Sequence, residues 1–378
     1  MGQEPKDLRK SSLDLLRFPL AIVVVIVHVF SNVGLELSAP YCSYENYRFF
    51  MGLNTFISSF LRGISVPIYF FISGYVFFVD ANFDLTVYKR KIKNRLRTLL
   101  VPYIVWNTLA ILLVVVKQLP IFSFFLSSND IGLSLNLKNI LSCYWHYNGL
   151  LSAPLSEVHL IEVQQFPINT ALWFLRDLML IVILTPVMYS LVRRFKMVYM
   201  GTVVLIYSFA QIYCPEYGMI STALMFFSWG AYMSIWGIDI IEAFKPLFIP
   251  SLLLYFANGV LYGITYNLYP DVASWFKLFN TFVGLILLFN IAAFLLRKNL
   301  CKVHPFLASS SFFIYIAHCL IIHRLTKVFL VVIRPDSDAL LTLVYVLTVA
   351  VTVTSLLICY YILKKYTPKV LKIITGRK

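Results

Sequence analysis

The chain alternates long apolar runs with short polar or turn-rich breaks, a pattern of helices that cross a bilayer. A spanning helix needs about 20 predominantly apolar residues. Ten such runs are legible, near 13–34, 56–79, 98–118, 169–190, 198–213, 219–237, 246–268, 275–296, 306–330 and 339–363. The fifth and sixth are separated only by YCPEYG. The longest connection runs from about Leu119 to Ile168 and holds SSND, CYWHYNGLLSAP and SEVHLIEVQQFP. A connection of that length is expected to have local structure and a role at the outer surface. The pattern predicts an all-α polytopic membrane protein of about ten transmembrane helices.

Basic residues orient the bundle, because Lys and Arg collect in cytoplasmic loops. With the N-terminus inside, Lys6, Arg9 and Lys10 share one side with the six basic residues of YKRKIKNRLR at 88–97. Arg193, Arg194, Lys196, Lys245, Arg297, Lys298 and Lys302 fall there too, as do Lys364, Lys365, Lys369, Lys372, Arg377 and Lys378. Both termini are therefore expected in the cytoplasm. Met1 to Lys10 is polar and the first apolar run is too long for a cleaved leader, so that run is expected to be the first span.

Composition narrows the class. The chain is 60% hydrophobic and 13% charged, with a mean hydropathy of +0.80. A disordered chain, a soluble enzyme and a secreted disulfide scaffold are excluded. Its 32 Lys and Arg against 17 Asp and Glu leave a net charge of +15. In a membrane protein that excess reads as basic loops facing anionic lipid rather than as nucleic-acid binding. The six cysteines show no CxxC or metal-type spacing and are read as packing residues, with no metal expected.

Ionisable groups inside spans are functional candidates because they are costly there. The first span, SSLDLLRFPLAIVVVIVHVF, holds Asp14, Arg17 and His28. Arg17 and His28 are separated by three helical turns, so they share a face roughly 16 Å apart along the axis. Arg17 is expected near the cytoplasmic boundary and His28 well inside, with Asp14 orienting Arg17. Trp173, Arg176 and Asp177 open the fourth span, and Arg62 opens the second at the same level. These four are candidates for holding an acceptor. Tyr315 and His318 share a face of the ninth span. The plainer readings are an interhelical hydrogen bond for His28 and a snorkelling anchor for Arg17. For Trp173 the plainer reading is an interfacial belt, for Arg176 and Asp177 a local ion pair, and for Ser73–Gly74 close helix packing.

The segment LDLLRFPLAIVVVIVH carries an Arg-x10-His pattern and resembles the membrane-bound acyltransferase family 3, which includes many bacterial O-acetyltransferases of cell-surface glycans. RGISVPIYFFISGYVFF (62–78), YKRKIKNRLRTLLVPYIVW (88–106), ALWFLRDLM (171–179) and SSSFFIYIAHCLII (309–322) are similar to further blocks of that family, in the same order. One departure is Asn94, three residues before Arg97, where the family often has the first Arg of an Arg-x-x-Arg motif.

The resemblance implies a transmembrane acyltransferase domain over 1–366 and a short basic tail at 367–378, with no appended soluble domain, in the bacterial plasma membrane. It implies a cytoplasmic acyl-CoA donor, acetyl-CoA in the first instance, and no permanently bound cofactor. The acceptor would be a hydroxyl of an envelope glycan or lipid-linked sugar. Arg17 and one or more of Arg90, Arg95 and Arg97 would hold the CoA phosphates. His28 would act as general base, since an imidazole with an ordinary pKa of about 6.5 takes protons at neutral pH, or else as the acyl-carrying nucleophile. Self-association or glycan-assembly partner proteins fit the same reading. The rivals are a transporter or flippase of a lipid-linked glycan and a receptor without chemistry. Paired Gly or Pro interruptions in two halves would favour a transporter, and none is read.

Overall fold

A computed structural model describes residues 5–31, 47–79, 83–117, 136–146, 166–266 and 268–377. Every regular element among them is helical. Helix α1 (Pro5–Ser31) is continuous and starts well before its apolar run. Arg17 lies near its midpoint and His28 in its last turn. The second predicted span is two helices, α2 (Arg48–Phe60) and α3 (Ser65–Phe78), parted at 61–64.

Helix α4 (Leu85–Arg95) runs through a π turn (Leu96–Leu100) into α5 (Val101–Lys117). The basic segment is thus helix rather than loop. Asp84 caps its start by accepting from the Val87 N–H at 2.7 Å. Pro102, with no N–H to give, is the second residue after the π turn. Helix α6 (Leu137–Trp145) is the described part of the long connection. The Ile168 N–H returns to its Cys143 carbonyl at 2.7 Å. The stretches SSND and SEVHLIEVQQ lie outside the described residues.

A 3-10 turn (Thr170–Leu172) leads into α7 (Trp173–Ile183) and α8 (Thr185–Phe195). Then come α9 (Met197–Tyr213), α10 (Gly218–Ile235), the short α11 (Ile240–Phe244), α12 (Phe248–Thr265) and α13 (Pro270–Arg297). Helix α14 (Pro305–Ala317) ends in a 3-10 turn (His318–Leu320), followed by α15 (Ile322–Ile333), α16 (Asp338–Tyr366) and α17 (Pro368–Ile374). Among the described residues, six stretches are long and apolar enough to cross a membrane, or eight if each bent pair is one span. Two shorter apolar helices, α3 and α9, stand at the second and fifth predicted spans. The chain is an all-α polytopic membrane protein.

The fourth and ninth predicted spans are broken. The chain bends by 63° between α7 and α8, and by 59° between α14 and α15. The two bends are not a matched pair of Gly or Pro interruptions: Pro186 stands at the start of α8, and no Gly or Pro lies at 318–321.

Close packing fixes the central layer. A Cβ on Gly74 of α3 would strike the carbonyl of Phe227 on α10, and one on Gly230 of α10 would strike that of Phe71 on α3. Small residues let these two backbones approach. One end of the bundle is tied by charge: Arg9 meets Asp239 at 3.7 Å, and Glu242 meets Arg297 at 2.7 Å. Trp106 Nε1 donates to the Ile374 carbonyl at 2.9 Å, docking the tail helix α17 on α5. Arg377 donates to the Tyr360 hydroxyl at 2.9 Å and to the Ser309 carbonyl.

Candidate active site

The end of α1 meets the break between α14 and α15. The rings of His28 and His318 stand edge to face with centroids 4.8 Å apart. His28 Nδ1 lies 2.9 Å from the Val24 carbonyl and His318 Nδ1 lies 3.2 Å from the Ile314 carbonyl. A carbonyl only accepts, so each Nδ1 carries the proton and each Nε2 presents a lone pair. Cys319 Sγ is 3.4 Å from His318 Nε2. One donor atom from each of His28, His318 and Cys319 falls within 4.8 Å of the others. His318 is fully buried, whereas His28 and Cys319 keep partial exposure.

The irregular backbone around this group is satisfied by side chains, as a broken membrane helix requires. Asn169 Nδ2 donates to the Ile316 carbonyl at 3.0 Å, and Arg324 donates to that of Leu320. Thr170 Oγ1 reaches Cys319 Sγ at 3.5 Å. Tyr315 donates to the Ala171 carbonyl. The turn before α7 is therefore stitched to the break after α14, beside His28.

Arg17 lies below on the same helix. Its guanidinium pairs with Asp14 at 2.9 Å and its side chain is 46% exposed. The Tyr69 hydroxyl donates to its backbone carbonyl at 2.7 Å. Tyr69, Phe174 and Tyr315 form a ring cluster with centroid separations of 5.7 to 6.2 Å, and Tyr315 stands 6.1 Å from His318. An aromatic wall thus joins the level of Arg17 to that of the histidines.

The other predicted residues fall into separate groups. On α4 and the π turn after it the cations divide by surroundings. Lys91 donates to the Phe77 carbonyl and Arg95 lies 5.9 Å from the Phe77 ring, whereas Arg90, Lys93 and Arg97 are exposed. Arg176 and Asp177 pair at 2.8 Å with relative exposures of 7% and 1%. Arg176 also donates to the Trp145 carbonyl at 2.9 Å, tying α7 to α6. Trp173 packs on Phe70 at 6.0 Å. Arg62 stands at the α2–α3 break, between Phe60 and Ser65.

Sequence reading missed Cys319, Thr170 and Asn169. Adjacency to His318 in IAHCLII was the one available signal for Cys319. The cysteine spacing rule does not detect a group assembled from two neighbours on an irregular turn and a third residue on a distant helix. An apolar recess of about 510 Å³ along α9 and the turn after it, lined by Leu205, Ile206, Phe209, Ala210, Cys214 and Tyr217, lies apart from this chemistry.

A helical bundle of this kind is a multi-pass membrane protein. Residues 10–364 match the acyltransferase 3 family, described as an acyltransferase domain, and the chain belongs to that family. It is similar to the succinoglycan biosynthesis protein ExoH of Rhizobium meliloti (strain 1021), 25% identical over 373 residues that cover 97% of this chain and 92% of the relative. No solved structure matches it.

Proposed function

We propose that this protein is an O-acyltransferase of the bacterial plasma membrane. It moves an acyl group, acetyl in the first instance, from cytoplasmic acyl-CoA to a hydroxyl of an envelope glycan or lipid-linked sugar. The observation that carries this reading is His28: in a chain of an acyltransferase family, its ring meets His318 and Cys319 in one polar centre and shares a helix with Arg17. The polysaccharide link in the name of the similar protein supports a glycan acceptor.

Each part has a physical task. The exposed cations Arg90, Lys93 and Arg97 attract the polyanionic donor. Arg17 takes a phosphate or orients the pantetheine arm, whose reach is comparable to the roughly 16 Å of helix up to His28. The aromatic wall of Tyr69, Phe174 and Tyr315 gives that arm an apolar bed. His28 Nε2 takes the proton of the attacking hydroxyl, a contribution of roughly a hundredfold to ten-thousandfold in rate.

The test is turnover of radiolabelled acetyl-CoA by the purified protein, wild type beside His28→Ala. Both are expected to bind the donor, and only the wild type to release or transfer acetyl. Normal turnover by His28→Ala would remove the general base. The broken helices also suit a flippase. A flippase moves its lipid-linked glycan without releasing CoA from any acyl-CoA, so CoA release parts the two readings.

A further inference from the structure

We propose that Cys319 carries the acyl group between donor and acceptor as a thioester, with His318 freeing its sulfur and His28 serving its discharge. This rests on the acyltransferase reading and adds a covalent step to it. Cys319 Sγ lies 3.4 Å from His318 Nε2. The lone pair there is fixed by the Nδ1–H that His318 gives to the Ile314 carbonyl at 3.2 Å. The Thr170 hydroxyl, 3.5 Å from the sulfur, donates to it and stabilises negative charge developing there. A nucleophile, a base within reach and a third group holding the base are the parts that activate a side chain for attack.

Local structure makes the sulfur reachable. The regular helix stops at Ala317, and the 59° bend places Cys319 on a turn that the next stretch of helix does not cover. Cys319 keeps open surface while its base is fully buried. Asn169, beside Thr170, is 1% exposed, and its Oδ1 has no hydrogen-bond partner among the described residues. A buried acceptor of that kind suits an amide N–H of the pantetheine arm. The same His, His and Cys atoms have the ligand types of a metal site. Bound zinc would occupy the sulfur, so acyl labelling of Cys319 and the effect of chelation part the two uses of these atoms.

The chemistry balances in two halves. His318 takes the thiol proton, and the sulfur of Cys319 attacks the thioester carbonyl. A carbon–sulfur bond to Cys319 forms, the bond to the CoA sulfur breaks, and the proton passes to CoA, which leaves as its thiol. In the second half an acceptor hydroxyl attacks the acyl carbon while His28 takes its proton. The bond to Cys319 breaks, and the proton returns to the sulfur. Donor and acceptor then need not occupy the site together, which fits substrates arriving from opposite ends of the bundle.

The experiment uses full-length protein in nanodiscs and a panel of radiolabelled short acyl-CoAs, beginning with acetyl-CoA, without acceptor. Label is expected on the wild type, removable by neutral hydroxylamine and mapped to the peptide holding Cys319. It is expected to accumulate on His28→Ala and to be absent from Cys319→Ala. Cys319→Ser keeps the side-chain volume and is expected to lose at least about a hundredfold in transfer. Initial rates of the wild type with both substrates varied are expected to give the parallel double-reciprocal lines of a double displacement. Intersecting lines together with full transfer by Cys319→Ala would overturn the acyl-cysteine while leaving the acyltransferase reading in place. Transfer lost on chelation and restored by zinc, with no label on Cys319, would overturn it in favour of a metal site. Failure of the wild type to release CoA from every donor would sink the acyltransferase reading, and this inference with it.

Discussion

Arg17 shows how one residue can be both tolerated and useful. A guanidinium midway along a membrane helix is costly unless it is paired or wet. Arg17 is paired with Asp14 at 2.9 Å and nearly half exposed. The pair is one helical turn long, so it survives wherever α1 survives and asks nothing of the rest of the bundle. Arg176 is the contrast. Its pair with Asp177 is buried, and its other contact ties α7 to Trp145, so its charge is absorbed by the fold. On the proposed reading Arg17, unlike Arg176, has charge to offer a donor. Arg17→Ala is expected to raise the KM for acyl-CoA roughly ten- to a hundredfold, the worth of one charge-assisted hydrogen bond. Arg17→Lys is expected to restore part of it, because a point charge lacks the planar fork. An unchanged KM in Arg17→Ala, measured with saturating acceptor, would reject the anchor.

Elements explain what the sequence could and could not reveal. The ten apolar runs each coincide with helix, because twenty apolar residues in lipid have no other way to satisfy their backbone. The bend after Leu184 had a local mark in Thr185–Pro186, which α8 holds at its start. The break at His318–Ile321 has none: no Gly or Pro lies there, and its freed carbonyls are met by Asn169 and Arg324. A kink held by residues 147 positions away is written in tertiary structure, not in the local string. The candidate site was half legible for the same reason. Arg17 and His28 share one helix, whereas the approach of His318 and Cys319 to His28 depends on that hidden kink. Gly74 was legible as a packing residue, and α3 against α10 shows why. Gly74→Leu would push a side chain into the Phe227 carbonyl group, whose carbon an added Cβ would approach to 2.8 Å. The expected cost is about 2 kcal/mol or more from overpacking, read as a lower melting temperature in detergent. Gly52→Ala is the control, since no atom lies within 4 Å of its added Cβ. Equal melting of the two variants would contradict the close approach.

For the whole molecule the open question is which end faces the cytoplasm. The start of α1, the Glu242–Arg297 pair and the α16 terminus with its Arg377 clasp gather at one end. The exposed cations of α4 add to the charge of the chain. If this basic end faces inward, acyl-CoA meets it first, and anionic lipid reinforces the orientation. The opposite orientation would present the CoA-attracting cations to a compartment that holds no CoA. Cys301 offers a direct probe, because it is a free, exposed thiol in the short connection between α13 and α14, flanked by Lys298 and Lys302. A membrane-impermeant maleimide is expected to leave Cys301 unmodified in intact cells and to modify it in inverted vesicles, as read by peptide mass spectrometry. Inverted vesicles are then also expected to consume external acyl-CoA, while intact spheroplasts do not. Modification of Cys301 in intact cells would turn the bundle over. Donor and acceptor would exchange ends, and Arg17 would lie on the acceptor side of His28 with no CoA to hold.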